Sequence, residues 1–135
     1  MALQPGLKAE YGFTVDDGVA TDVAGSLGNH VLATPRMIGM MERTAMMAVW
    51  GELPEGATCV GYEVCVKHIA SAPFGALCMA FAELTEVEAG RKLRFDVRVE
   101  CDGRTIGIGT HERRIINAGK FDGANVVAEP TATVE

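Results

Sequence analysis

At 135 residues, 48% hydrophobic and 22% charged, the chain fits one domain with a packed core and is too apolar for a disordered segment. A net charge of -6 at pH 7, with no basic stripe, excludes the electrostatic footprint of a nucleic-acid binder. The first residues lack the blocks of a signal peptide, and no apolar run approaches the roughly 18–20 residues that span a bilayer, so a cytoplasmic protein without a membrane partner is expected.

In chain order, residues 9–15 predict a first short strand, and residues 16–32, rich in Gly, Asp and Ala with no sustained period, read as a loop or lid. Thr34-Pro35 follows, a threonine able to cap and a proline suited to a helix start. The run RMIGMMERTAMMAVW and a stop at Gly51 then predict one helix over about 35–50. Met37, Met40, Met41, Ala45 and Ala48 give it an apolar face, and Ile38, Met46, Met47 and Val49 fill much of the rest, so the helix is expected to be largely enclosed.

After Gly56 the period changes to two. Val60, Tyr62, Val64, Val66 and His68 fall on one face of a long strand, with Cys59, Glu63, Cys65 and Lys67 on the other. A second strand covers 77–84. A third alternates Leu93, Phe95, Val97 and Val99 with Arg94, Asp96, Arg98 and Glu100, and Asp102-Gly103 predicts a tight hairpin into a fourth strand over 104–116. The four cysteines, Cys59, Cys65, Cys78 and Cys101, sit singly in these strands without CxxC spacing and read as reduced core residues.

The domain is thus expected to occupy the whole chain, with its core at about 9–122 and 123–135 as a peripheral tail. A strand, one buried helix and several antiparallel strands make an α+β hot-dog fold, a sheet wrapped around a long central helix. One sheet covers one side of a helix and leaves strand edges open, so two copies are expected to join edge to edge in a continuous sheet.

Three residues stand out chemically. Glu42 is the only carboxylate between Thr34 and Trp50, in a helix read as enclosed, where burial favours a base active near neutral pH; otherwise it is an ordinary helical glutamate facing water. His68 ends the apolar face of its strand and is either a proton shuttle or a satisfied core histidine. Thr34 is either a cap or a site hydroxyl, and the helix N-terminus beside it offers N–H groups to a carbonyl developing negative charge. The eight residues from Thr34 to Glu42 correspond to about 12 Å of helical rise, so direct contact within one chain requires a bend or a second subunit. His30 and His111 make no metal spacing with His68, and Gly107-x-Gly109 suggests sheet curvature or close approach of a ligand.

Gly39-Met40-Met41-Glu42, the run from Val66 through His68 and Pro73 to Gly75, and Gly109-Thr110-His111-Glu112-Arg113 occur in an order and spacing that resembles the fluoroacetyl-CoA thioesterase-like family over about residues 10–122. The resemblance implies a dimeric thioesterase in which Thr34, Glu42 and His68 are catalytic, with Gly61 and Arg113 at the substrate. The fluoroacetyl-specific member has lid phenylalanines ahead of the helix, whereas residues 16–32 here hold no Phe, Tyr or Trp, so fluoroacetyl specificity does not follow.

The expected function is hydrolysis of a small or medium acyl-CoA to free acid and CoA, without metal or cofactor, in a homodimer able to pair into a tetramer. Arg36, Lys67, Arg113 and Lys120 are candidate contacts for the CoA phosphates. The alternative is a non-catalytic module that binds acyl-CoA or another small ligand. A hot-dog hydratase is a further rival, for which the sequence offers no motif.

Overall fold

The computed structural model describes residues 3–23 and 29–120. Its elements are β1 (Lys8–Thr14), β2 (Ala20–Val23), β3 (Asn29–Leu32), α1 (Thr34–Val49), β4 (Ala57–His68), β5 (Leu77–Glu88), β6 (Lys92–Cys101) and β7 (Arg104–Asn117). Five strands form an antiparallel sheet in the order β1-β5-β6-β7-β4, and β2 pairs with β3 in a separate ladder. The expected tail from residue 121 onward lies outside the described residues. No described helix is long and apolar enough to cross a membrane.

Alternation builds the core. Cys78, Ala80, Ala82 and Leu84 of β5 and Leu93, Phe95, Val97, Val99 and Cys101 of β6 are buried on the face that receives α1. Met37, Met41, Ala45 and Val49 form the helix's buried stripe, four residues apart and so nearly in line along one side. At Gly107 a Cβ would run into the Met37 sulfur, and at Gly109 into the Cys65 carbonyl oxygen. These glycines therefore admit the helix and the neighbouring strand, rather than a ligand. Asp102 and Gly103, at φ 52° and 75°, make the hairpin turn that their identities predict.

Four expectations need correction. Residues 16–32 contain the β2–β3 hairpin: its strands are four residues each, too short to show a period. Among the described residues the helix is covered on one side only, by a single sheet; Arg43 is exposed and Met47 is 45% exposed. In β4 a bulge between Gly61 and Glu63 shifts the alternation, so Cys59, Gly61, Val64, Val66 and His68 share the face paired to Ile115, Arg113, His111, Gly109 and Gly107. Tyr62, at the bulge, is released outward and stacks under the Arg114 guanidinium at 3.6 Å. Finally, Cys65 is exposed rather than part of the core.

Candidate active site

The β3 strand runs against the segment after β4, with Leu32 N–H donating to the Ala72 carbonyl at 2.9 Å and Phe74 N–H to the His30 carbonyl at 2.9 Å. This pairing draws the start of α1 to the end of β4. Ala33, not Thr34, occupies the cap position and makes no side-chain capping bond. The Thr34 hydroxyl instead lies 2.8 Å from His68 Nδ1. His68 Nε2 is buried and has no hydrogen-bond partner among the described residues. A buried ring nitrogen without a partner costs about 1–3 kcal/mol, a cost removed when an incoming group supplies the bond.

Glu42 sits two turns further along α1, half-buried. Its Oε2 occupies the space beside Gly61, only 2.7 Å from where a Cβ would stand on that residue. The same point is 3.6 Å from His111 Cε1 and 3.8 Å from Arg113 Nη1, so α1, β4 and β7 converge there. Among the described residues the Glu42 carboxylate accepts no hydrogen bond and makes no ion pair.

Arg113 is buried. Its Nε donates to Cys59 Sγ at 3.1 Å and its Nη2 to the Cys59 carbonyl at 3.0 Å. Nη1 lies 3.3 Å from His111 Nε2, and no described carboxylate pairs with the guanidinium. A charged group in such a setting, held only by neutral partners, is poised for an anion or a developing oxyanion. The burial also removes Arg113 from the margin, where a CoA phosphate contact had been expected; Arg36 and Lys67 are exposed, and the Lys120 side chain lies outside the described residues.

His111 was not singled out by the sequence as a site residue. It is 2% exposed, its Nδ1 lies 2.8 Å from the Glu63 carbonyl oxygen, and its ring stacks on Phe95 at 6.1 Å. Burial pulls its pKa below the ordinary 6.5; the bond to Glu63 opposes this, and the nearby Arg113 charge adds to it. An apolar signal could not have found His111, because its burial depends on the register that sets it opposite Phe95.

Of the three expected catalytic residues, the chain therefore joins Thr34 to His68 and leaves Glu42 with Gly61 and Arg113 in a second cluster. Among the described residues no three His, Cys, Asp or Glu side chains gather in a group able to hold a metal ion.

The chain is similar to known proteins. The family model for fluoroacetyl-CoA-specific thioesterase matches residues 14–119. The chain belongs to that family. Members of the fluoroacetyl-CoA-specific thioesterase family similar to this chain include the fluoroacetyl-CoA thioesterase of Streptantibioticus cattleyicolor, 39% identical over 92 residues that cover 68% of this chain and 66% of that protein. The aligned stretch thus spans just under two thirds of the relative's length. A solved structure of the fluoroacetyl-CoA thioesterase FlK superposes with a TM-score of 0.81 at 29% identity, covering 92% of this chain and 96% of that one. A hot-dog-like protein from Thermanaerovibrio acidaminovorans, 19% identical, has a TM-score of 0.76 over 85% of this chain and 84% of its own. The fold is the hot-dog fold, with one helix packed on a five-stranded antiparallel sheet.

Proposed function

We propose that this chain hydrolyses a small or medium acyl-CoA thioester in the cytoplasm, without metal or cofactor, using Thr34, His68 and Glu42 as catalytic residues and Gly61 and Arg113 at the substrate. The observation that carries this reading is the Thr34–His68 contact of 2.8 Å, which leaves the buried Nε2 unpartnered. A histidine oriented through one nitrogen by a hydroxyl keeps the other for proton transfer to or from a reacting group. The Glu42 carboxylate, without a competing hydrogen bond, supplies a base for water or a nucleophile for the acyl carbon. Arg113 and the N–H groups at the start of α1 polarise the thioester carbonyl.

The two clusters meet when a second copy is added. Among the described residues β4 is an unpaired edge of the sheet, with Tyr62 46% and Val64 37% exposed, an invitation to strand pairing. Antiparallel pairing of two β4 strands about an axis between Val64 and Cys65 would set His68 of one copy level with Gly61 of the other. Each copy's Glu42 would then face the other's Thr34–His68 pair, so the active species on this reading is a homodimer. The outer sheet face, where Ile108 is 48% exposed, is the surface that a tetramer would use.

The test is a panel of short, medium, branched and aromatic acyl-CoAs with free thiol followed by colour, running Glu42→Gln and His68→Ala beside the wild type. Turnover lost in both variants supports the assignment. Tight acyl-CoA binding with no thiol released by the wild type overturns it in favour of a binding module.

A further inference from the structure

Beside the proposed catalytic residues lies a buried histidine that the reaction scheme does not use. His111 bridges three elements. Its Nδ1 meets the Glu63 carbonyl of β4 at 2.8 Å, its Nε2 meets Arg113 Nη1 of β7 at 3.3 Å, and its face lies on Phe95 of β6. A carbonyl oxygen can only accept, so Nδ1 must carry the proton. Nε2 is then a bare lone pair, which is what a guanidinium, all of whose nitrogens donate, requires.

The other groups around Arg113 complete the same pattern. Cys59 Sγ and the Cys59 carbonyl take Nε and Nη2 at 3.1 and 3.0 Å, and Met46 Sδ lies 3.9 Å from Nη2. None of these hydrogen-bond partners is charged, and Nη1 lies 3.8 Å from the Gly61 point that Glu42 Oε2 approaches to 2.7 Å. Either alternative state of His111, the Nε2–H tautomer or the imidazolium, would turn a donor toward Nη1 and lose the bond.

We propose that His111 is a positioning residue for the thioesterase reaction: the Glu63 carbonyl at the β4 bulge fixes its Nδ1–H tautomer, and the bare Nε2 fixes Arg113 against Gly61. The inference rests on the reading of this site as a thioesterase and deepens it. The charged groups that face the ring are Arg113 and Glu112 of β7 and Glu42 of α1. Glu112 is held by Arg94 at 3.0 Å and Arg114 at 2.7 Å, so its charge is largely answered elsewhere. The lowered pKa of His111 agrees with a neutral ring at pH 7.

Two measurements on the full chain test this. Nitrogen-15 spectra of the imidazoles, assigned by comparison with His111→Gln, are expected at pH 7 to show a protonated Nδ1 and a bare Nε2 for His111. An Nε2–H tautomer or an imidazolium overturns the proposal. The second is a double-mutant cycle in kcat/KM on the best acyl-CoA of the panel, since coupled residues give non-additive losses. His111→Leu is expected to lose at least about tenfold when Arg113 is present and less than about twofold when Arg113 is already Met. His111→Gln, which keeps one donor and one acceptor, is expected to lose less than His111→Leu.

Equal losses in both backgrounds, the result of a merely structural histidine, overturn the proposal while leaving the thioesterase reading standing. A wild type that releases no thiol overturns both. Should His111→Leu fail to fold, the spectra and the same cycle run with His111→Gln decide.

Discussion

Thr34 and His68 are 34 residues apart in sequence, yet the hydroxyl of one lies 2.8 Å from Nδ1 of the other. The contact joins the first residue of α1 to the last of β4. It exists because β3 and the segment after β4 are hydrogen-bonded side by side, from Leu32–Ala72 to His30–Phe74. If the contact orients His68 for proton transfer, Thr34→Ser keeps the hydroxyl and retains most of kcat, whereas Thr34→Ala frees the ring to rotate. Well-placed acid–base catalysis contributes about 10²–10⁴-fold, so a loss of ~10–10² in kcat from Thr34→Ala is expected. Steady-state kinetics of the two variants check this, and equal activity in both would remove Thr34 from the machinery.

Gly61 gives a sharper test of Glu42. A Cβ at this position would stand 2.7 Å from Glu42 Oε2 but 3.6 Å or more from His111 and Arg113. The group that must give way is the far end of a flexible, half-buried side chain, so Gly61→Ala is expected to leave the thermal midpoint within a few degrees of the wild type. The carboxylate is displaced all the same. Misplacement of a catalytic group by about 1 Å can cost ~10²-fold, and a loss of that order in kcat/KM by a folded Gly61→Ala variant is the expected result. Unfolding of the variant, or undiminished activity, would contradict it.

Much of this was legible in the residues. Strict alternation in 93–99 and Asp102-Gly103 define β6 and its hairpin into β7, and the methionine-rich run defines α1 to within a residue. What escaped depended on pairing. The β4 bulge is invisible because the residues just before it, Cys59, Val60 and Tyr62, are apolar on both faces, and it reverses which of Cys59 and Tyr62 is buried. The β2–β3 hairpin gains its order from the segment after β4, through Leu32 N–H to the Ala72 carbonyl, Phe74 N–H to the His30 carbonyl and the Val31–Pro73 bridge. Thr34, Glu42 and His68 could be named from residue type and motif position, but the division of Glu42 from the other two follows from helical rise together with the sheet register.

Gly107 tests the packing of α1 on the sheet. The Met37 sulfur and methyl group and the Met41 methyl group, the last at 3.1 Å, occupy the space that a Cβ would need. Both methionines are essentially fully buried, so their thioethers have little room to retreat. Overpacking of this kind costs about 1–3 kcal/mol, and Gly107→Ala is expected to lower stability by that amount in urea or thermal unfolding. A companion substitution Met37→Ala would relieve the clash at the expense of a cavity, and the two changes should therefore be less than additive. Strict additivity would show that the helix does not rest on this glycine.

The buried His111 makes stability depend on pH with a definite sign. Its folded pKa lies below 6.5, chiefly through burial, so as pH falls past the unfolded value the unfolded chain takes up the proton first. Protonation then favours unfolding: the contribution is fully present above about pH 6.5 and is lost as pH falls through the folded pKa. Denaturant midpoints measured from pH 8 to 5 are expected to fall in the acid range for the wild type. The same curve for His111→Gln should be flatter below pH 6.5. A wild-type midpoint that rises on acidification over this range would reverse the sign and contradict a neutral buried ring.

Thiol reactivity separates the four cysteines by environment. Cys78 and Cys101 stand opposite one another across the β5–β6 ladder, both buried, and the Cys78 thiol is pushed up to about 12 by burial and by its neighbour. At pH 8 a pKa near 12 leaves only about one thiol in 10⁴ as thiolate, and the thiolate is the reactive form. Cys59 is enclosed as well, its sulfur accepting from Arg113 and lying 3.2 Å from Met46 Sδ. Cys65 alone is exposed, pointing to the outer face of β4, where backbone pairing with a second copy would leave its side chain in water. A disulfide reagent at pH 8 is therefore expected to titrate one fast thiol per native chain and four in urea. In Cys65→Ser the fast phase should vanish while the three slow thiols remain. A second fast thiol in the native protein would mean that the β5–β6 ladder or the Cys59 site on β4 opens readily, and a missing first one would mean that the outer face around Cys65 is covered in solution.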